Sequence, residues 1–282
     1  MAGEYYYLVS SLPAIGTPEL TAEKNLDELQ SRILEQLSEE DRTYFRYLLY
    51  RNDNKNLLYI LRKRKGINES PFFTYHKPSA FSYQELEEGL TGGTTLPEYM
   101  NIFLRETAGG FDGRITENRL VELYYEEAVA VGNSFLAEYF RFKRTLKNIV
   151  SGINSRLFGY DLKGLLVGAG DIQERMLQSS AQDLGLGNSY PFIQELYSLA
   201  QSGNYTGLEK KIDAILSGYI DARGHVDPFS SEAVFSWFIK TGLSARWVFI
   251  DQDKGREEMN RTIDWVVNSF SLSGNPVMEG VF

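Results

Sequence analysis

Apolar side chains recur at spacings of three and four residues through almost the whole chain, and no other feature of the sequence limits its fold as much. Thr17-Pro18 reads as a helix start, followed by Leu26, Leu29, Ile33 and Leu37 on one stripe. Ser38 with Glu39, Glu40 and Asp41 opens a longer helix carrying Phe45, Leu48, Leu49, Leu57, Leu58 and Leu61. Arg62-Lys63-Arg64-Lys65 and Gly66 close it, with cations at the negative end of the helix dipole and glycine at the stop.

The same grammar repeats downstream. Residues 66–80 hold two prolines and no period, so a loop is expected, with its aromatic residues packed. Ser82 and Glu85 have capping-box spacing, and Pro97 starts a helix through Met100, Phe103 and Leu104. After Ala108-Gly109-Gly110-Phe111-Asp112-Gly113, a flexible break, Leu120 to Val131 and Phe135 to Leu146 mark long helices that Gly132 bends or splits. Asp161, Asp171 and Ser189 are expected caps of three short helices. Leu208 to Tyr219, Val234 to Phe238 and Met259 to Phe270 give three more stripes. The expected fold is therefore all-α, a bundle of repeated helical lobes. Only Tyr5-Tyr6-Tyr7-Leu8-Val9, aromatic and β-branched, reads as a short extended N-terminal segment. The break divides residues 1–107, a first lobe, from 114–270, a second and third lobe packed on it; 271–282 reads as a flexible tail.

With 282 residues, 43% of them hydrophobic, the chain can bury a substantial core. It has no Cys, which excludes disulfides, thiolate metal sites and cysteine nucleophiles. A formal net charge of -9 argues against a general nucleic-acid or anionic-membrane binder. The N-terminus has no basic head before its short apolar run, and the longest later run, Ala233 to Ile239, is far short of a membrane span. A cytoplasmic protein that meets the membrane through a partner is expected.

Catalytic and cofactor motifs do not assemble. His76 and His225 are 149 residues apart and give no metal spacing. Gly159 to Gly164 has phosphate-loop spacing, but Leu165 stands where Lys is needed. Gly168-Ala169-Gly170-Asp171 matches half of a dinucleotide fingerprint and reads better as a helix stop with a new cap. The pairs Glu87-Glu88, Glu126-Glu127 and Glu257-Glu258 point about 100° apart on a helix and read as solvated faces. No catalytic residue, cofactor or metal is assigned. A hydrolase using carboxylates distant in sequence stays open, as does a free-standing helical adaptor.

Two segments align without gaps at an offset of 92: Tyr47 with Tyr139, Asn56-Leu57 with Asn148-Ile149, Leu61 with Ile153, and Arg64 with Arg156. A looser third copy centres on Asn260. Repeated helical units bury one another's apolar faces, which favours related lobes over a single catalytic cleft. Asn56 and Asn148 are expected to satisfy buried backbone or to bridge lobes.

The start Tyr5 to Pro13, the stretch Asp53-Asn54-Lys55-Asn56-Leu57-Leu58, the phrase Gly132-Asn133-Ser134-Phe135, and Leu146-Lys147-Asn148-Ile149 leading to Arg156 resemble an uncharacterised bacterial family linked to the V/A-type rotary ATPase. More distantly, the repeated Asn-aliphatic helix resembles the socket component of the central stalk, the C-type subunit of prokaryotic complexes and the d-type of eukaryotic ones. The resemblance implies a non-catalytic rotor component that couples the stalk to the membrane ring for ion or proton transport. It implies other ATPase subunits as partners and a place on the inner face of the cell membrane. Arg62, Arg64, Arg141 and Arg144, basic groups near the repeated helices, are the candidate contacts to acidic partner surfaces.

Overall fold

A computed structural model describes residues 4–16, 23–66, 75–108, 113–223 and 227–248. Among these residues there are eleven α-helices and no strand. They are α1 (Tyr6–Ser11), α2 (Glu23–Gln36), α3 (Glu39–Arg64), α4 (Tyr83–Gly89), α5 (Glu98–Thr107), α6 (Gly113–Ala128), α7 (Ser134–Phe158), α8 (Asp171–Gln178), α9 (Ile193–Gln201), α10 (Tyr205–Arg223) and α11 (Ser231–Val248). None is long and apolar enough to cross a membrane. The Thr17-Pro18 start, the Gly109–Asp112 break, His225, the helix from Met259, the third copy around Asn260 and the tail lie outside the described residues.

The N-terminal segment is helical rather than extended. Its aromatic run folds as α1 because Tyr5 and Leu8, three apart, are both buried while Tyr6 and Tyr7 face outward. Tertiary contacts hold this face down: the Tyr5 backbone N–H donates to Phe229 O at 2.9 Å, and the Tyr5 hydroxyl donates to Asp41 at 2.5 Å. Burial of one face overrides the strand preference of the side chains.

Ser38 caps α3 by accepting from the Asp41 N–H at 3.1 Å. Ser82 and Glu85 form the expected reciprocal box at α4. Gly132 marks a split: α6 ends at Ala128, and Asn133 caps α7 by accepting from the Leu136 N–H. A Cβ at Gly132 would stand 2.8 Å from the Tyr44 hydroxyl, so the Tyr44 side chain of α3 lies directly over this glycine.

Three of the expected caps differ. Asp161 accepts from the N–H groups of Lys163 and Gly164, which fixes a turn and no helix. Gly170 precedes α8, and Asp171 lies in its first turn without a side-chain cap. Phe192 is the residue before α9, and Ser189, whose N–H donates to Leu186 O, closes an earlier turn.

The helices fall into two lobes of one plan. A long helix (α3 or α7) is followed by a crossing loop, a short helix (α4 or α8) and a packed pair (α5 with α6, α9 with α10), so α6, which follows the break after 107, packs with the first lobe's α5 instead of opening a second lobe at 114. α11 packs on α1, α3, α7 and α10, so it joins the two lobes. Phe45 of α3 meets Phe235 and Phe238 of α11, and Phe142 of α7 stacks on Tyr219 of α10 with ring centroids 3.9 Å apart. One apolar core runs from Leu8 through both lobes to Ile239.

Candidate functional site

Asn56 and Asn148 occupy equivalent places in the two lobes, and both are completely buried. The Asn56 amide donates to His76 O at 3.0 Å and accepts from the His76 N–H at 2.8 Å. Asn148 donates to Val167 O at 3.0 Å and accepts from the Val167 N–H at 2.9 Å. In each lobe a side-chain amide on the long helix thus pairs with the backbone donor and acceptor of one residue in the crossing loop. Such a two-point bond satisfies loop backbone that would otherwise be buried without partners. The structure gives the repeat a physical content: the same residue ties the same loop to the same helix, twice. His76 contributes its backbone to this clamp, and burial lowers its imidazole pKa.

The four arginines singled out in the sequence each touch the chain itself, Arg62 and Arg144 half-buried and Arg64 and Arg141 exposed. Arg62 pairs with Glu117 of α6, and Arg64 donates to Glu87 O at 3.4 Å. Arg141 donates to Val129 O at 3.0 Å, just past the end of α6. Arg144 lies against the Gly168 turn, its Nε buried and without a hydrogen-bond partner. They do not converge with one another on a common set of partners. Glu127 also differs from the solvated face expected of it, because it accepts from the Tyr47 hydroxyl at 2.7 Å and from the Tyr99 N–H at 3.0 Å. Tyr99 in turn donates to Asn54 at 2.7 Å, so a polar seam joins α3, α5 and α6.

The side chains that do converge are others. A cavity of about 490 Å³ opens among α3, α6, α7, α10 and α11. A neighbouring cleft of about 440 Å³ shares with it Arg51, Lys55, Tyr139, Lys143, Leu243 and Arg246. Lys147 lines the larger cavity as well. Arg51 and Lys55 are exposed, whereas Lys143 and Lys147 are half-buried. Removal from water lowers the pKa of Lys143 to about 7, helped by the positive charges of Arg51 and Arg246. Burial also lowers Lys55 and Lys147, with Arg51 and Arg246 adding to the shift of Lys55.

The offset of 92 that pairs Asn56 with Asn148 pairs Arg51 with Lys143 and Lys55 with Lys147. The two cation pairs are thus equivalent positions of the repeat, while their meeting at one cavity comes from the packing of the helices. Arg246, which α11 contributes, falls outside that alignment. It bonds Asp213 at 2.9 Å and Glu209 at 2.6 Å, and Trp247 donates to the other Asp213 oxygen at 2.8 Å. Burial raises the Asp213 pKa, against the lowering effect of Trp247 and Arg246.

Asp53 is a second carboxyl with a raised pKa, pushed to about 7 by burial. It accepts from the N–H groups of Ala80 and Phe81 and does not line the cavity. These two raised carboxyls therefore sit in separate hydrogen-bond sets. Among the described residues no group of three His, Asp or Glu side chains is placed to hold a metal ion.

No curated protein and no solved structure matches the chain. One family model does, over residues 1–269 of the 282, and by that match the chain belongs to DUF2764, a family described as protein of unknown function.

Proposed function

We propose that this protein is a non-catalytic, socket-like component of a V/A-type rotary ATPase, coupling the central stalk to the membrane ring during ion transport. The observation that carries the reading is the repeated lobe, with Asn56 and Asn148 making the same clamp in each. It supports the likeness to the stalk socket, whose repeated Asn-aliphatic helix the sequence resembles. A part that transmits torque must be stiff, and aromatic contacts such as Phe45 with Phe238 and Phe142 with Tyr219 stiffen the joints between helices. In this reading the protein works at the cytoplasmic face of the membrane and is held there by its neighbours in the complex. Arg62, Arg64 and Arg141 each bond within the chain, and the exposed Arg64 and Arg141 keep further guanidinium N–H groups for an acidic partner.

Affinity purification of the tagged protein from gently solubilised membranes of its native host tests this directly. Stalk and ring subunits are expected in stoichiometric amounts by mass spectrometry. Recovery of the protein alone, together with unimpaired ATP-driven ion pumping in a deletion strain, would overturn the proposal.

A further inference from the structure

The cavity among α3, α6, α7, α10 and α11 carries more positive charge than its own carboxylates answer. Three acids line it, Glu117, Glu209 and Asp213. Glu209 and Asp213 both bond Arg246, and Glu117 bonds Arg62. Among the described residues no carboxylate lies within ion-pair distance of Arg51, Lys55, Lys143 or Lys147. In a chain of net charge -9, four such cations facing one cavity is a concentration against the overall balance. Solvated lysines on an open surface raise no question, but Lys143 and Lys147 are half-buried, and burial disfavours their charged forms. An anion bound between them would relieve both the burial cost and the mutual repulsion.

The spacing narrows the class of anion. Arg51 and Lys55 lie one turn apart on α3, and Lys143 and Lys147 lie one turn apart on α7. Residues four apart on a helix present their side chains about 5–6 Å from each other. Two such pairs on one cavity make a four-point receptor, suited to two linked phosphoryl groups better than to a single small ion. Apolar side chains, Leu58, Val121, Ile212 and Leu216, also line the cavity beside Tyr124, on the same helices as the cations of α3 and the acids of α6 and α10.

We propose that this cavity is a binding site for a diphosphate group, held by Arg51 and Lys55 from one lobe and Lys143 and Lys147 from the other. The inference does not rest on the stalk reading, because it follows from the charges and volume of the cavity alone. The diphosphate comes from one of two sources, inorganic pyrophosphate or a nucleoside diphosphate whose base lies against the apolar side chains of the lining.

Isothermal titration calorimetry of the full chain at constant ionic strength, with pyrophosphate and with ADP as probes, tests it. One saturable site per chain is expected, with inorganic monophosphate binding far more weakly. Lys143→Gln and Arg51→Gln are each expected to weaken binding by about ten-fold or more, the usual loss for one charged hydrogen bond. Lys163→Gln, an exposed cation that does not line the cavity, is expected to leave it unchanged. ADP binding tighter than pyrophosphate identifies the nucleoside form, and equal or weaker binding identifies the inorganic one. Absence of saturable heat with both probes would overturn the proposal, as would equal losses from Lys143→Gln and Lys163→Gln. Circular dichroism of each variant separates lost binding from lost fold.

Discussion

At the scale of single residues, the two buried asparagines explain why a polar side chain recurs inside otherwise apolar stripes. Leu57 and Ile149, the residues after them, are buried without any polar atom to satisfy. Asn148 is buried because the Val167 peptide groups are buried with it. Asn148→Leu keeps the volume but leaves the Val167 N–H without a partner, although Gln173 still donates to Val167 O at 3.0 Å. The expected cost is about 1–3 kcal/mol of unfolding free energy, measured by urea denaturation. An unchanged midpoint would show that the loop is held by something else. Asn148 was legible as structural from its spacing with Asn56. Its partner was not, because a loop that crosses a helix 19 residues later leaves no periodic trace in the sequence.

At the scale of elements, glycine distinguishes close helix packing from open helix surface. Gly152 lies inside α7, where a Cβ would stand 2.6 Å from Leu184 Cδ1 and 2.9 Å from Met176 Cε. Both neighbours are fully buried, so neither has room to withdraw. Gly152→Ala gains roughly 1 kcal/mol of helix propensity and loses about 1–3 kcal/mol to overpacking, so a lower Tm is expected. Gly218 on α10 is exposed and meets nothing within 4 Å, so Gly218→Ala is expected to stabilise by about 0.5–1 kcal/mol. Thermal melts of the two variants should therefore move in opposite directions; movement in the same direction would remove the packing argument. The sequence marked most helices through caps and stripes. It misread α1, whose helical form depends on Asp41 and Phe229, contacts 36 and 224 residues away from Tyr5.

At the scale of the molecule, α11 keeps the two lobes from behaving as independent units. It packs on both long helices, and its Trp237 donates to Pro13 O at 2.9 Å, binding the N-terminal segment too. Because one core is continuous across both lobes, unfolding is expected as a single transition. Urea curves followed by tryptophan fluorescence and by far-ultraviolet circular dichroism should share one midpoint. Separated midpoints would mean that the lobes melt one after the other, as in a linear repeat array. The sequence alone determined the helical class, the starts of α3, α4 and α5, the split before α7 and the tandem plan, because caps and period act over a few residues. Only the tertiary structure decided that Arg51, Lys55, Lys143, Lys147 and Arg246 share one cavity while Arg62, Arg64 and Arg141 are bound elsewhere in the chain. The physical reason is that electrostatic environment depends on which helices lie side by side, and helical period specifies a face without naming its neighbour.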